Sequence, residues 1–229
     1  AGMVFWVMPT AIVNSSLWGQ VDPLYTCFLL LCVLFLLKER WTAAVIAFSI
    51  SFAIKAQAFF IFPLLAILLF KKRIPWTSFL FTPLVYFVMM LPAMLAGRSI
   101  RSLASVYLGQ AETFNVASKN AANFYFFIPQ SAYQVSIMIG LLLAGLLLLA
   151  WMLIYGFKRY QITPGMLVIT ALISVALTPF LLPKMHDRYF YPADVLSLVA
   201  AFFVPGMWFV QIAYQVVSLL SYMRYLFSE

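Results

Sequence analysis

The sequence predicts an all-α fold, a polytopic transmembrane helical protein with about eight membrane segments, and three observations carry that expectation. Charged residues make up 9% of the 229 residues and hydrophobic ones 66%, whereas soluble domains carry about 25% charge. Apolar runs near the roughly 20 residues that cross about 30 Å of hydrocarbon recur along the whole chain, at a mean hydropathy of +1.03. Basic residues gather in short clusters between those runs, as orientation signals do. No length is left for a soluble domain, so residues 1–229 read as a single transmembrane domain.

The chain opens AGMVFWVMPTAIVNSS, with neither an initiator Met nor a basic stretch ahead of the apolar run, which is not the pattern of a signal peptide. The expectation is the C-terminal part of a longer chain, begun partway through a helix. Asp22 to Leu37 is the next segment and ends at KER, Lys38 to Arg40. The run from Trp41 to Phe70 is too long for one simple span and carries KAQ, Lys55 to Gln57, near its middle. Broken there, it gives two arms of roughly 14 residues, short for a crossing, and reads as a hairpin with its tip near the outer face. After KKR, Lys71 to Arg73, Ile74 to Ala96 crosses outward. Gly97 to Tyr133 forms the one sizeable outer loop, and Gln134 to Phe157 returns to Lys158 and Arg159. Thr163 to Leu182 leads out again, and Pro192 to about Val217 leads back toward Arg224. With KER, KKR, KR and Arg224 cytoplasmic, the polar stretches NSSLWGQVD, KAQ, GQAETFNVASKNAANFY and PKMHDRYFYPAD all fall on the outer side.

A net charge of +8 is therefore no signal for nucleic acid, because eight of the 14 Lys and Arg lie in the orientation clusters. The other six, Lys55, Arg98, Arg101, Lys119, Lys184 and Arg188, need another reason, and an anionic ligand supplies one. Cys27 and Cys32 share one apolar run and read as core or lipid-facing residues without a disulfide or metal pattern. No His, Asp and Glu group has metal-ligand spacing, so neither a metal nor a cofactor is expected, with a divalent cation held partly by upstream residues left open.

Each polar stretch has a local reading and a functional one. In WGQVDP, Asp22 suits a helix N-cap and Pro23 the first helical position. Trp18 suits an interfacial anchor or a ring stacked on a sugar, and the Gln20 amide suits hydroxyls. A lysine at membrane depth costs roughly 2.5–3.5 kcal/mol. Lys55 therefore either snorkels from a hairpin tip or aims at a phosphate, with Gln57 beside it. SKNAANFYFF reads as an interfacial helix, or as one wall of a lipid-facing cleft with Asn123 and Tyr125 pointing inward. In HDRYFYPAD, Pro192 and Asp194 suit the first turn of the next helix. His186, Asp187 and Arg188 have no such local reason. A guanidinium fork and an imidazole suit a phosphate, and Tyr189 and Tyr191 add hydroxyls and rings; a structural ion-pair corner is the alternative.

The ordered set NSSLWGQVD, KAQ, NAANFYFF and MHDRYFYPAD resembles the bacterial integral membrane proteins related to the GPI-anchor mannosyltransferase that adds the second mannose. More distantly, NAANFY and HDR are similar to patterns of the dolichyl-phosphate-glucose glucosyltransferases. Both groups have the GT-C architecture, and the resemblance spans nearly the whole chain. It implies an enzyme, a hexosyltransferase. Such an enzyme moves mannose or glucose from a polyprenyl-phosphate carrier to a lipid or glycan acceptor, at the extracytoplasmic face of a bacterial inner membrane. Carried over, His186 and Arg188 face the donor phosphate with Lys55 as helper, and Trp18 and Gln20 shape the sugar site. Gln57, Asn123, Tyr125, Asp187, Tyr189 and Tyr191 complete the substrate-binding set; Asp187 stands where related enzymes often have Glu. The carboxylate that such enzymes use for catalysis lies in the first outer loop, upstream of this chain, so the catalytic residue is unassigned. Asp22 is the substitute present, and the fragment by itself is expected to be inactive. The competing expectations are a transporter or flippase for a lipid-linked or anionic substrate, which a broken hairpin with a lysine tip also suits, and a non-catalytic scaffold.

Overall fold

Proline placement sets where several helices begin. The chain, in a computed structural model, is described over residues 2–106 and 115–227; positions 107–114 of the expected outer loop, with GQAETF of its polar stretch, lie outside the described residues. After short helices at Gly2–Trp6 and Pro9–Ile12 come α1 (Asp22–Leu37), α2 (Trp41–Ile54), α3 (Phe62–Phe70) and α4 (Phe81–Leu95). They are followed by α5 (Tyr133–Phe157), α6 (Pro164–Leu181), α7 (Tyr191–Phe203) and α8 (Trp208–Phe227). Helices α1, α3, α6 and α7 all carry Pro in the first two positions, where its missing N–H costs nothing. Strands β1 (Ser118–Lys119) and β2 (Met185–His186) form a small parallel pair.

Three helical stretches, Trp76–Leu95, Tyr133–Phe157 and Pro164–Leu181, are long and apolar enough to cross a membrane, as expected of a membrane protein. Helices α1 and α2 are apolar but have 16 and 14 residues, so at about 1.5 Å per residue they fall short of the bilayer core. The run from Trp41 to Phe70 breaks at Lys55, as the sequence suggested: α2 ends at Ile54, Lys55 is extended, and a 3-10 turn, Ala56–Ile61, leads into α3.

Contacts across the bundle sort the loops into two ends. Arg73 lies 3.9 Å from Glu39, and the Lys71 ammonium donates to the Lys158 carbonyl at 2.7 Å, so KER, KKR and KR meet at one end. At the other end Lys55 pairs with Asp22, Arg188 with Gln20, and Lys184 N–H with the Ala117 carbonyl at 2.7 Å. One expectation is corrected here. Pro192 to Val217 is not one segment: the chain turns between Val204 and Met207, where Pro205 follows an extended Val204 and Gly206 takes φ +87°. Helix α8 folds back along α7, pairing Gln211 with Ser197 and Ser218 with Asp194. Arg224 consequently lies over the Phe126 ring at 4.8 Å, at the end opposite the other basic clusters.

The core is built from α1, α2, α3, α6 and α7, with Tyr25, Leu29, Val45, Leu64, Val168 and Leu196 among its buried residues. Helix α4 buries none of its residues and α5 only Gly140, Ala144 and Gly156, small residues that allow close helix approach. A Cβ on Gly140 would lie 2.8 Å from the Tyr125 ring. Gly140→Ala is therefore expected to destabilise the protein, since overpacking costs about 1–3 kcal/mol. In a Tyr125→Ala background the same change should stabilise, by the helix propensity of Ala over Gly. Thermal unfolding of the four proteins in detergent checks the reversal of sign.

Candidate functional site

The polar end begins with a wide turn. Helix Pro9–Ile12 continues as a π-helical turn, Val13–Leu17, a geometry that often marks functional sites. Gly19 then reverses the chain with φ +65°, which a side chain would resist. This presents Trp18 and Gln20 beside the start of α1.

Asp22 does not cap α1. Val21 occupies the cap position and no side chain caps it. The carboxylate is buried instead, accepting from Asn14 Nδ2 at 3.0 Å through Oδ2 and pairing with Lys55 through Oδ1. The local capping preference yields because Lys55 has nowhere else to place its charge. Its side chain is 13% exposed and its ammonium sits 5.3 Å from the Tyr25 ring and 5.6 Å from the Tyr189 ring. Lys55 is thus neither a snorkelling tip nor a cation without a counter-charge. The Gln57 amide oxygen is buried without a hydrogen-bond partner, and the Tyr189 phenol is raised above its ordinary pKa chiefly by burial and so stays a neutral hydroxyl.

The His186 segment is pinned by β1. Lys119 pairs with His186 in the parallel ladder, and Asn120 bridges to it as well. His186 Nδ1 meets Asp187 Oδ1, which also accepts from the Arg188 N–H at 2.7 Å. Asp187 Oδ2 is buried with no hydrogen-bond partner. Arg188 turns the other way: Nη1 donates to Gln20 Oε1 and the guanidinium stands 5.7 Å from the Trp18 ring. Its Nε is buried without an acceptor, and among the described residues Arg188 joins no ion pair. The Trp18 ring also faces His186 at 5.9 Å and Tyr222 at 5.6 Å. Trp18, Gln20, Asp22, Lys55, His186, Asp187, Arg188 and Tyr189 therefore come together from three distant stretches.

Three expected ligand residues have structural work. Asn123 Nδ2 donates to the Pro179 and Leu182 carbonyls at 3.4 and 3.2 Å, and the Tyr125 hydroxyl donates to the Leu181 carbonyl at 3.0 Å. The Pro179 carbonyl cannot receive a helical bond from Pro183, which has no N–H, so Asn123 supplies the donor. Their segment is a 3-10 turn, Phe124–Phe127, not an interfacial helix. Tyr191 is fully buried and packs with Met8, Ala11 and Val195, out of reach of a ligand.

Sequence reasoning missed Asn14, Ser218 and Tyr222. Asp194 does stand in the first turn of α7, but its carboxylate also accepts from Ser218 Oγ at 2.7 Å and the Tyr222 hydroxyl at 3.5 Å. Nothing local to PAD signals partners on a helix that folds back. Among the described residues no three His, Cys, Asp or Glu gather as metal ligands. No protein-family model matches the chain, and neither a curated protein nor a solved structure matches it.

Proposed function

We propose that this membrane protein is a GT-C type hexosyltransferase of about eight membrane segments, placed in a bacterial inner membrane. It moves mannose or glucose from a polyprenyl-phosphate carrier to a lipid or glycan acceptor on the extracytoplasmic side. The observation that carries this reading is the Arg188 guanidinium, held by Gln20 and Trp18 but with Nε lacking an acceptor and, among the described residues, no carboxylate paired to it. A phosphate oxygen completes that fork with charge-assisted hydrogen bonds. Lys55 is already paired with Asp22, so Arg188 is the cation left to stabilise a departing lipid phosphate. The Trp18 face is the surface on which the hexose stacks.

The test is transfer of radiolabelled hexose from polyprenyl-phosphate-mannose and polyprenyl-phosphate-glucose, in membranes carrying the full-length protein beside its Arg188→Ala variant. Transfer lost in an inserted, folded variant supports the reading; no transfer from either donor by the parent protein removes it. The buried Asp22–Lys55 pair at a broken helix favours one other reading, a transporter or flippase, for which flux across vesicles is the assay.

A further inference from the structure

We infer that the end of the bundle where KER, KKR and KR meet is a binding surface for the head groups of anionic phospholipids. The site lies at the opposite end from the Arg188 cluster and does not depend on the hexosyltransferase reading.

KER and KKR close their helices in the same way. At the end of α1 the Glu39 N–H donates to the Leu36 carbonyl at 3.1 Å and the Arg40 N–H to that of Phe35 at 2.8 Å. At the end of α3 the Lys72 N–H donates to the Leu69 carbonyl and the Arg73 N–H to that of Leu68, each at 2.9 Å. Glu39 and Lys72 take the left-handed position, with φ +55° and +57°. Such a paired closure ends a helix and fixes the path of the residues after it. KR is tied to KKR because Lys71 donates to the Lys158 carbonyl and lies 3.9 Å from the Tyr160 ring.

Lys71 is spent on that link, while Lys38, Arg40, Lys72, Arg73, Lys158 and Arg159 stay exposed. Among the described residues one exposed carboxylate faces solvent, Glu39, and it lies 3.9 Å from Arg73; Asp22, Asp187 and Asp194 are buried. The excess positive charge is therefore uncompensated within the chain. Orienting the protein needs basic loops on one side, but it does not need them fixed on closed turns and tied to one another.

Depth selects a lipid over a soluble anion. Helices α1 and α2 are too short for the bilayer core, so the bilayer thins around them and brings its phosphates to their ends. Trp76 and Tyr155, 68% and 42% exposed, flank the basic loops with the amphipathic rings that sit at head-group level. Lys and Arg stems can lie along apolar surface there while their charged ends reach phosphate oxygens. A zwitterionic head group carries its own cation and leaves the excess charge standing. One with net negative charge neutralises it, which makes an anionic phospholipid the partner.

The test places the full-length protein in nanodiscs of equimolar phosphatidylglycerol and phosphatidylcholine with matched acyl chains, and native mass spectrometry counts the lipids that stay bound. Phosphatidylglycerol should be retained over phosphatidylcholine by about fivefold or more, the effect of a single Lys or Arg at an anionic surface. Lys72→Gln with Arg73→Gln, and separately Lys158→Gln with Arg159→Gln, should each cut that ratio by about half or more. Changing one pair at a time leaves other clusters to orient the chain, and the melting temperature in phosphatidylcholine alone reports whether each variant is folded. In the parent protein about 1 M NaCl should cut the ratio as well, because screening shortens the reach of exposed charges; this arm needs no variant. Equal retention of the two lipids by the parent, a ratio that salt leaves unchanged, or a ratio that neither pair of changes lowers overturns the site. Displacement of phosphatidylglycerol by about 10 mM inorganic phosphate would mark a soluble-anion site and overturn the lipid as its ligand.

Discussion

Asp22→Ala is expected to lower folding stability by about 3–5 kcal/mol, the typical effect of stranding a buried charge. The Asp22 side chain is fully buried and Lys55 nearly so, and the rings of Tyr25 and Tyr189 beside the ammonium are worth about 0.5–2 kcal/mol as cation–π partners, too little to replace a carboxylate. Lys55→Met should cost a similar amount by leaving Asp22 without its cation. The double variant Asp22→Ala with Lys55→Met buries no charge at all. It should therefore be more stable than either single variant, because an ion pair in a low-dielectric interior gives back little beyond its own desolvation. Asn14→Ala removes one neutral donor to Asp22 and should cost less than Asp22→Ala, about 1.5–3 kcal/mol for a hydrogen bond to a charged group. Unfolding of the detergent-solubilised proteins measures the cycle. Additive effects of the two single changes would show that Asp22 and Lys55 do not act as a pair.

The same pair shows where sequence reasoning holds and where it stops. That KAQ interrupts a long apolar run, and that the run breaks there, was legible because a lysine between two short arms has no place in a continuous span. The convergence of KAQ with WGQVD and HDR was legible too, since the basic clusters put all three at one end. Which groups would touch was not. Capping rules assign Asp22 to its own helix, and only the folded chain brings Lys55, 33 residues on, to compete for it. Asn123 looked like a ligand residue because the lack of an N–H on Pro183 matters only once the two segments are adjacent. The α7–α8 turn had a visible mark in the Pro205–Gly206 dipeptide, a strong turn signal. It was hidden by the unbroken hydropathy of AFFVPGMWFV, and with it went Ser218, Tyr222 and the position of Arg224.

Arg188→Ala should reduce hexose transfer about 10²–10³-fold, the range for removing a donor aimed at charge that develops in the transition state. Unlike Asp22, Arg188 is held by a neutral amide and a ring face, so its removal strands no counter-charge and the protein should still insert and fold. Arg188→Lys separates charge from shape. Lysine keeps the positive charge but presents no planar fork, so it cannot keep the bond to Gln20 and address a phosphate through a second parallel donor. It should recover only part of the lost rate. Gln20→Ala leaves the guanidinium in place without its tether, and the expected result is a smaller loss than in Arg188→Ala. Equal rates for Arg188→Lys and the parent protein would mean that charge alone suffices. Equal rates for Arg188→Ala and the parent would mean that the phosphate does not bind here, and the unpartnered Nε would then have no part in the reaction.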